Sequence, residues 1–271
     1  MSFVETEDHT ALFYKDWGSG RPVLFLHSWA VNSDMWEPHM VPLVEAGFRC
    51  VAFDRRGHGC SGRPGDGYDF DTFADDLALI IDQLDLTDIT LVGHSMGAGE
   101  IVRYLTRHGS DRVARVLMLA PTLPFLLKTD DNPDGIERAC FDEVRAVLLA
   151  DTPKWLVDNA EPFFLPRTTG VSPEMMRCLI EQCLQSGLKA KIDTNRSVTE
   201  TDFRRELAEI DVPTLIIHGD SDVSAPLAFT AERTAALIPG SRLVIYEGAP
   251  HGLFVTHRER FMRDLMAFLE G

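Results

Sequence analysis

Long apolar stretches, basic charge and patterned cysteine are all scarce in this 271-residue chain. No apolar run approaches the roughly 20 residues that a membrane-spanning helix needs, which excludes an α-helical membrane protein. Lysine and arginine total 26 against 42 aspartates and glutamates, and the net charge of −16 argues against nucleic acid or an anionic membrane surface as a partner. The five cysteines (Cys50, Cys60, Cys140, Cys178 and Cys183) are odd in number, scattered and free of any CxxC. Neither a disulfide framework nor a cysteine zinc site is therefore expected. The nine histidines show no HExxH or comparable spacing, so no metal is expected either. The segment Met1-Ser2-Phe3-Val4-Glu5 has no basic stretch followed by an apolar one. It predicts no signal peptide, and the expected location is cytoplasmic.

What the chain does contain is an ordinary globular share of hydrophobic residues, 45%, in a length suited to one large domain. Apolar runs at 23–26, 50–53, 89–92, 116–119, 214–217 and 243–246 each read as a strand buried on both faces. Amphipathic stretches lie between them. After Asp71, the residues Phe73, Leu77, Ile80, Ile81 and Leu84 share one helical face, while Asp75, Asp76 and Asp82 point elsewhere. Further helices are expected around 35–45, 98–107, 227–237 and 258–269. Strand–helix alternation of this kind predicts an α/β fold, a mainly parallel sheet with helices on both faces. The short, turn-flanked stretch from Ala11 to Lys15 predicts an antiparallel start. The rhythm stops between Pro121 and Ile210, where prolines interrupt helical patterns such as 175–188 and no buried strand is evident. A helical insertion at 123–210 is expected, set into a core made of 1–122 and 211–271 and acting as a cap over a site.

Gly93-His94-Ser95-Met96-Gly97 follows the 89–92 strand and precedes a helix, the context a GxSxG nucleophile requires. The turn from strand to helix is so tight that neighbouring positions cannot hold a side chain, which accounts for the glycines. It also sets the following N–H groups at a helix N-terminus, where a developing anion is favoured. A serine needs a base, and His251 in Gly248-Ala249-Pro250-His251-Gly252 comes directly after the last strand. For the acid, Asp220 and Asp222 both follow the 214–217 strand. Asp222 is preferred because it can reach over the loop, leaving Asp220 as a turn residue. The acid holds the imidazole tautomer and its charged form. Oxyanion donors are expected from the backbone N–H of Met96 and, in His27-Ser28-Trp29-Ala30, of Trp29. The Trp29 ring reads either as a wall of the acyl pocket or as a core residue whose N–H finds a partner.

With these residues in place, the sequence resembles the cofactor-free bacterial haloperoxidase (perhydrolase) and aryl-esterase branch of the α/β-hydrolase fold. The likeness runs through Tyr14-Lys15-Asp16-Trp17-Gly18-Ser19-Gly20, Ala52-Phe53-Asp54-Arg55-Arg56-Gly57, Asp71-Thr72-Phe73-Ala74-Asp75-Asp76-Leu77 and Leu91-Val92-Gly93-His94-Ser95-Met96-Gly97. It continues in Glu200-Thr201-Asp202-Phe203, Ile217-His218-Gly219-Asp220-Ser221-Asp222 and Ala249-Pro250-His251-Gly252. The resemblance implies an eight-stranded, mostly parallel sheet, cleavage of small-molecule esters through an acyl-enzyme, no cofactor, and a homo-oligomer. Some members also make peracids from carboxylic acids and peroxide, and relatives open lactones or lactams. The chain departs from the pattern at two places: Ser28 stands where the family usually has glycine, and Ala30 where it often has proline. Both departures weigh toward an esterase over a perhydrolase. The rival readings are a lactone, lactam or carbon–carbon bond hydrolase with the same triad, and a ligand-sensing module. Dehalogenase and epoxide-hydrolase chemistry use an aspartate nucleophile, and position 95 is serine.

Overall fold

Apolar runs covered on both sides satisfy their backbone groups by pairing with one another. In the computed structural model, which describes residues 2–271, eight strands form one sheet; Met1 lies outside the described residues. The strands are β1 (Ser2–Glu5), β2 (Ala11–Gly18), β3 (Pro22–Leu26), β4 (Arg49–Phe53), β5 (Ile89–His94), β6 (Val113–Leu119), β7 (Thr214–Gly219) and β8 (Arg242–Tyr246). Their order across the sheet is β1-β2-β4-β3-β5-β6-β7-β8. The pairs β1/β2 and β2/β4 are antiparallel and all others are parallel. The expected antiparallel start is present, with β1 an additional strand that the sequence reading did not separate.

Among the described residues eleven α-helices accompany the sheet: α1 (Glu37–Glu45), α2 (Phe70–Gln83), α3 (Met96–His108), α4 (Arg138–Phe164), α5 (Pro166–Thr169), α6 (Pro173–Gln185), α7 (Leu188–Glu200), α8 (Arg204–Leu207), α9 (Ala231–Leu237), α10 (Leu253–Thr256) and α11 (Arg258–Glu270). Alternate residues of each central strand feed two cores. Leu24 and Leu26 pack with Phe73, Leu77 and Ile80 of α2 and with Ile101 of α3. Val23 and Phe25 pack with Met40 of α1 and with Phe261 and Leu265 of α11. Each such side chain, fully withdrawn from water, contributes about 1.5–3 kcal/mol.

Several expectations need correction. β8 is an edge strand with Ile245 exposed and Leu243 and Val244 half-buried, because nothing pairs beyond it. Asp76, set off the apolar face of α2, is nonetheless buried and takes both prongs of the Arg56 guanidinium at 2.7 Å. The 227–237 pattern yields a helix only from Ala231, and the 175–188 pattern stops at Gln185, where Ser186 and Gly187 adopt extended backbone. Between β6 and β7 lie α4 to α8 and no strand. α4 breaks at Asp151 (φ −156°, ψ 74°), whose carboxylate accepts the Lys154 N–H at 3.0 Å and so restarts the helix ahead of Pro153.

One ion pair joins the two halves of the fold that matter most below. Arg55, two residues beyond β4, and Glu100 of α3 are almost wholly buried and paired with each other. The guanidinium also donates to the carbonyls of His27 (2.8 Å) and Ser28 (3.4 Å), in the loop after β3. Burial pushes the Glu100 carboxyl up to about 7, against the pull of Arg55. Removing one partner strands the other in the core. Arg55→Met is expected to cost about 3–5 kcal/mol, and Arg55→Met with Glu100→Leu to recover most of it. Chemical denaturation of both variants checks this; equal stability of the two would mean that the pair does not hold the loop to α3.

Candidate active site

Ser95 lies at the reversal between β5 and α3 with φ 55° and ψ −114°, a backbone region that a side chain enters only at a cost of about 1–3 kcal/mol. Close packing enforces it. A Cβ on Gly93 would sit 2.6 Å from the carbonyl carbon of Gly97, and one on Gly97 would sit 2.7 Å from the Leu26 carbonyl oxygen. The Ser95 N–H donates to Leu119 O at 2.9 Å, tying the turn to β6. The hydroxyl is thereby fixed above the carboxyl edge of the sheet.

His251, in the loop after β8, is brought to Ser95. Its Nδ1–H donates to Asp222 Oδ2 at 2.6 Å, which leaves Nε2 to accept from the Ser95 hydroxyl at 2.9 Å. All three side chains are buried. The other oxygen of Asp222 accepts the N–H groups of Ser224 (2.9 Å) and Ala225 (2.8 Å). Desolvation opposes its ionisation, yet the charge of His251 and hydrogen bonds from His218 and His251 outweigh that and hold its carboxyl well below the usual range. Asp220 faces away and accepts the Gly248 N–H at 2.7 Å, bracing the loop that precedes His251.

Two further histidines surround this pair. His218 Nε2–H donates to the Ala225 carbonyl at 2.7 Å and lies 3.3 Å from Asp222 Oδ2, a contact the sequence did not suggest. His94 Nε2–H donates to the His251 carbonyl at 3.0 Å, and burial lowers its pKa, so it stays neutral.

Trp29 follows β3, the strand beside β5, and Met96 opens α3. Among the described residues, neither backbone N–H has an acceptor in the chain. The Trp29 indole N–H donates to Lys191 O at 3.0 Å, so the ring both finds a partner and lines a cavity. Ala30 has φ 65°, which proline, locked near −65°, cannot adopt.

The cavity above Ser95 measures about 340 Å³. Trp29, Phe141, Trp155, Phe163, Phe229 and Phe254 supply aromatic walls, and among the described residues no carboxylate, lysine or arginine lines it. A larger open cleft of about 740 Å³ between α6 and α11 contains neither Ser95 nor His251. The smaller cavity is therefore the candidate site. Among the described residues no cluster of His, Cys, Asp or Glu could hold a metal ion, and no helix is long and apolar enough to cross a membrane. The sequence reading missed Arg55, His218 and Lys191 as neighbours of the site. Arg55 left one signal, a charged residue just beyond the apolar run 50–53; Lys191, inside a polar helix, left none.

Known proteins resemble this chain over most or all of its length. Residues 21–258 match the alpha/beta hydrolase fold family. The chain is 41% identical to a non-heme chloroperoxidase of Kitasatospora aureofaciens, over 99% of each chain. It is 37% identical to a bifunctional esterase/perhydrolase of Acinetobacter calcoaceticus over the full length of both. The crystal structure of a bromoperoxidase from Bacillus anthracis superposes with a TM-score of 0.94, at 35% identity and with both chains covered completely. With a match across most of its length and relatives aligned from end to end, the chain belongs to the α/β-hydrolase family, in the branch of the non-heme haloperoxidases and esterases.

Proposed function

We propose that this protein is a serine esterase that cleaves small, neutral esters with aromatic or apolar parts through an acyl-enzyme. The observation that carries this reading is the continuous chain from the Ser95 hydroxyl through His251 to Asp222, at 2.9 and 2.6 Å, at the base of an aromatic cavity. Ser95 attacks the ester carbonyl as His251 Nε2 takes its proton, and Asp222 steadies the imidazolium. The Trp29 and Met96 N–H groups, unpaired among the described residues, receive the oxyanion. His251 then protonates the leaving alcohol, and water repeats the sequence to free the acid. The helices between β6 and β7 serve as the cap, since they supply most of the cavity wall.

Water is favoured over hydrogen peroxide as the second nucleophile. The esterase/perhydrolase relative supports peracid formation as a side reaction. At position 30, however, the left-handed backbone of Ala30 and its carbonyl bond to the Ser186 hydroxyl at 2.6 Å set a loop that proline could not form.

Ser95→Ala is expected to abolish turnover of phenyl acetate with an unchanged melting curve, and Asp222→Asn to lower kcat by about 10⁴-fold. Retention of most activity by folded Ser95→Ala would remove the proposal. The uncharged lining gives a second test. Esters carrying a carboxylate on the acid or alcohol part should show kcat/KM at least about tenfold below neutral analogues, because no cation offsets their desolvation. A substrate panel that found no such preference would sink the assignment of substrate class.

A further inference from the structure

The loop carrying Trp29 is held by buried cations on two sides. Arg55 bonds its carbonyls from the sheet, as described above. On the other side stands Lys191 of α7, buried and, among the described residues, without a carboxylate partner, its ammonium pushed down in pKa by desolvation. Its Nζ donates to the carbonyls of Cys183 (3.1 Å) and Ser186, at the C-terminal end of α6, where a helix leaves carbonyls unpaired and favours a positive charge. The turn closed in this way grips the Trp29 loop at three points. The Lys191 carbonyl accepts the Trp29 indole N–H at 3.0 Å, the Ser186 hydroxyl donates to Ala30 O at 2.6 Å, and Gln185 Oε1 accepts from the Asn32 amide at 3.0 Å. An apolar side chain of similar length would fill the same space without the cost of a buried charge.

We propose that Lys191 is a positioning residue for acyl transfer: its ammonium closes the α6–α7 turn, and that turn aims the Trp29 backbone N–H by holding the indole on one side of it and the Ala30 carbonyl on the other. The inference rests on the reading of the Trp29 N–H as an oxyanion donor. Such a donor acts on the transition state far more than on bound substrate, so loss of the clamp lowers kcat and leaves KM nearly unchanged.

The test uses the full chain and its variants Lys191→Met, Lys191→Arg and Ser186→Ala. It measures kcat and KM for phenyl acetate, melting by circular dichroism, and solvent exchange of the Trp29 indole proton by NMR, assigned with Trp29→Phe. Folded Lys191→Met should lose about tenfold or more in kcat with KM within about threefold, and its indole proton should exchange faster. Lys191→Arg, which keeps a cation near the same carbonyls, should recover most of kcat. Wild-type kcat in folded Lys191→Met, or a change confined to KM, overturns the proposal. Should Lys191→Met fail to fold, Ser186→Ala decides: unaltered kcat and indole exchange there overturn it as well. Absence of turnover in the wild type would sink the Ser95 reading instead, and the indole exchange would still report whether the clamp exists.

Discussion

The reversal of the chain at Ser95 is the constraint on which the rest of the site depends. Gly97 lies so close to Leu26 O that α3 is pressed against the end of β3, and this same contact brings the loop of Ser28 and Trp29 beside the serine. On the other side, the Ser95 N–H bond to Leu119 O registers the turn against β6. β7 then delivers Asp222 from the next position in the sheet, and β8 delivers His251 from the one after. Each group arrives from the carboxyl end of a parallel strand, so their mutual distances are set by strand spacing and register more than by any single loop.

Burial decides which groups near Ser95 carry charge. His94 is fully enclosed and neutral; Asp222, equally enclosed, stays ionised because N–H groups and histidine ring nitrogens converge on it from several directions. A fixed anion bonded to His251 suits the transient imidazolium that the proposed mechanism requires. The rest of the cavity surface is apolar or neutral, although the chain as a whole carries −16. The acidic side chains lie mostly on the outside, and apart from Asp222 none adjoins Ser95 or His251.

Much of this was legible beforehand because it depends on short-range rules. The two-sided apolar runs announced the parallel strands, the glycines of Gly93-His94-Ser95-Met96-Gly97 announced the tight turn, and the positions of Asp222 and His251 after successive strands announced that they would meet near Ser95. The choice between Asp220 and Asp222 came from reach, and their hydrogen bonds divide the two in that way. What stayed hidden depends on neighbours distant in sequence. β8 looks as apolar as β7, and only the absence of a further strand makes it an edge. Asp76 follows the polar side of its helix, and only Arg56, folded beneath it, makes burial tolerable. Lys191 lies in a helix rich in polar residues, so no periodicity marks it as interior.

The helices between β6 and β7 join two properties that the strands alone would keep separate. The stretch from Gln185 to Thr199 grips the Trp29 loop through Gln185, Ser186 and Lys191, and a few residues later lines the cavity through Asn195, Val198 and Thr199. Substrate fit and the aim of the proposed oxyanion donor therefore share one continuous segment. A substitution that enlarges the cavity at Val198 is expected to disturb the helix that also carries Lys191, and with it the partner of the Trp29 indole. In this architecture a change of specificity made on α7 is expected to carry a change of rate with it, and so is one at Trp155 of α4, whose ring stands edge-on to that of Trp29 with centroids 5.6 Å apart, whereas Phe141 packs with Phe125 and Leu127, away from the clamp.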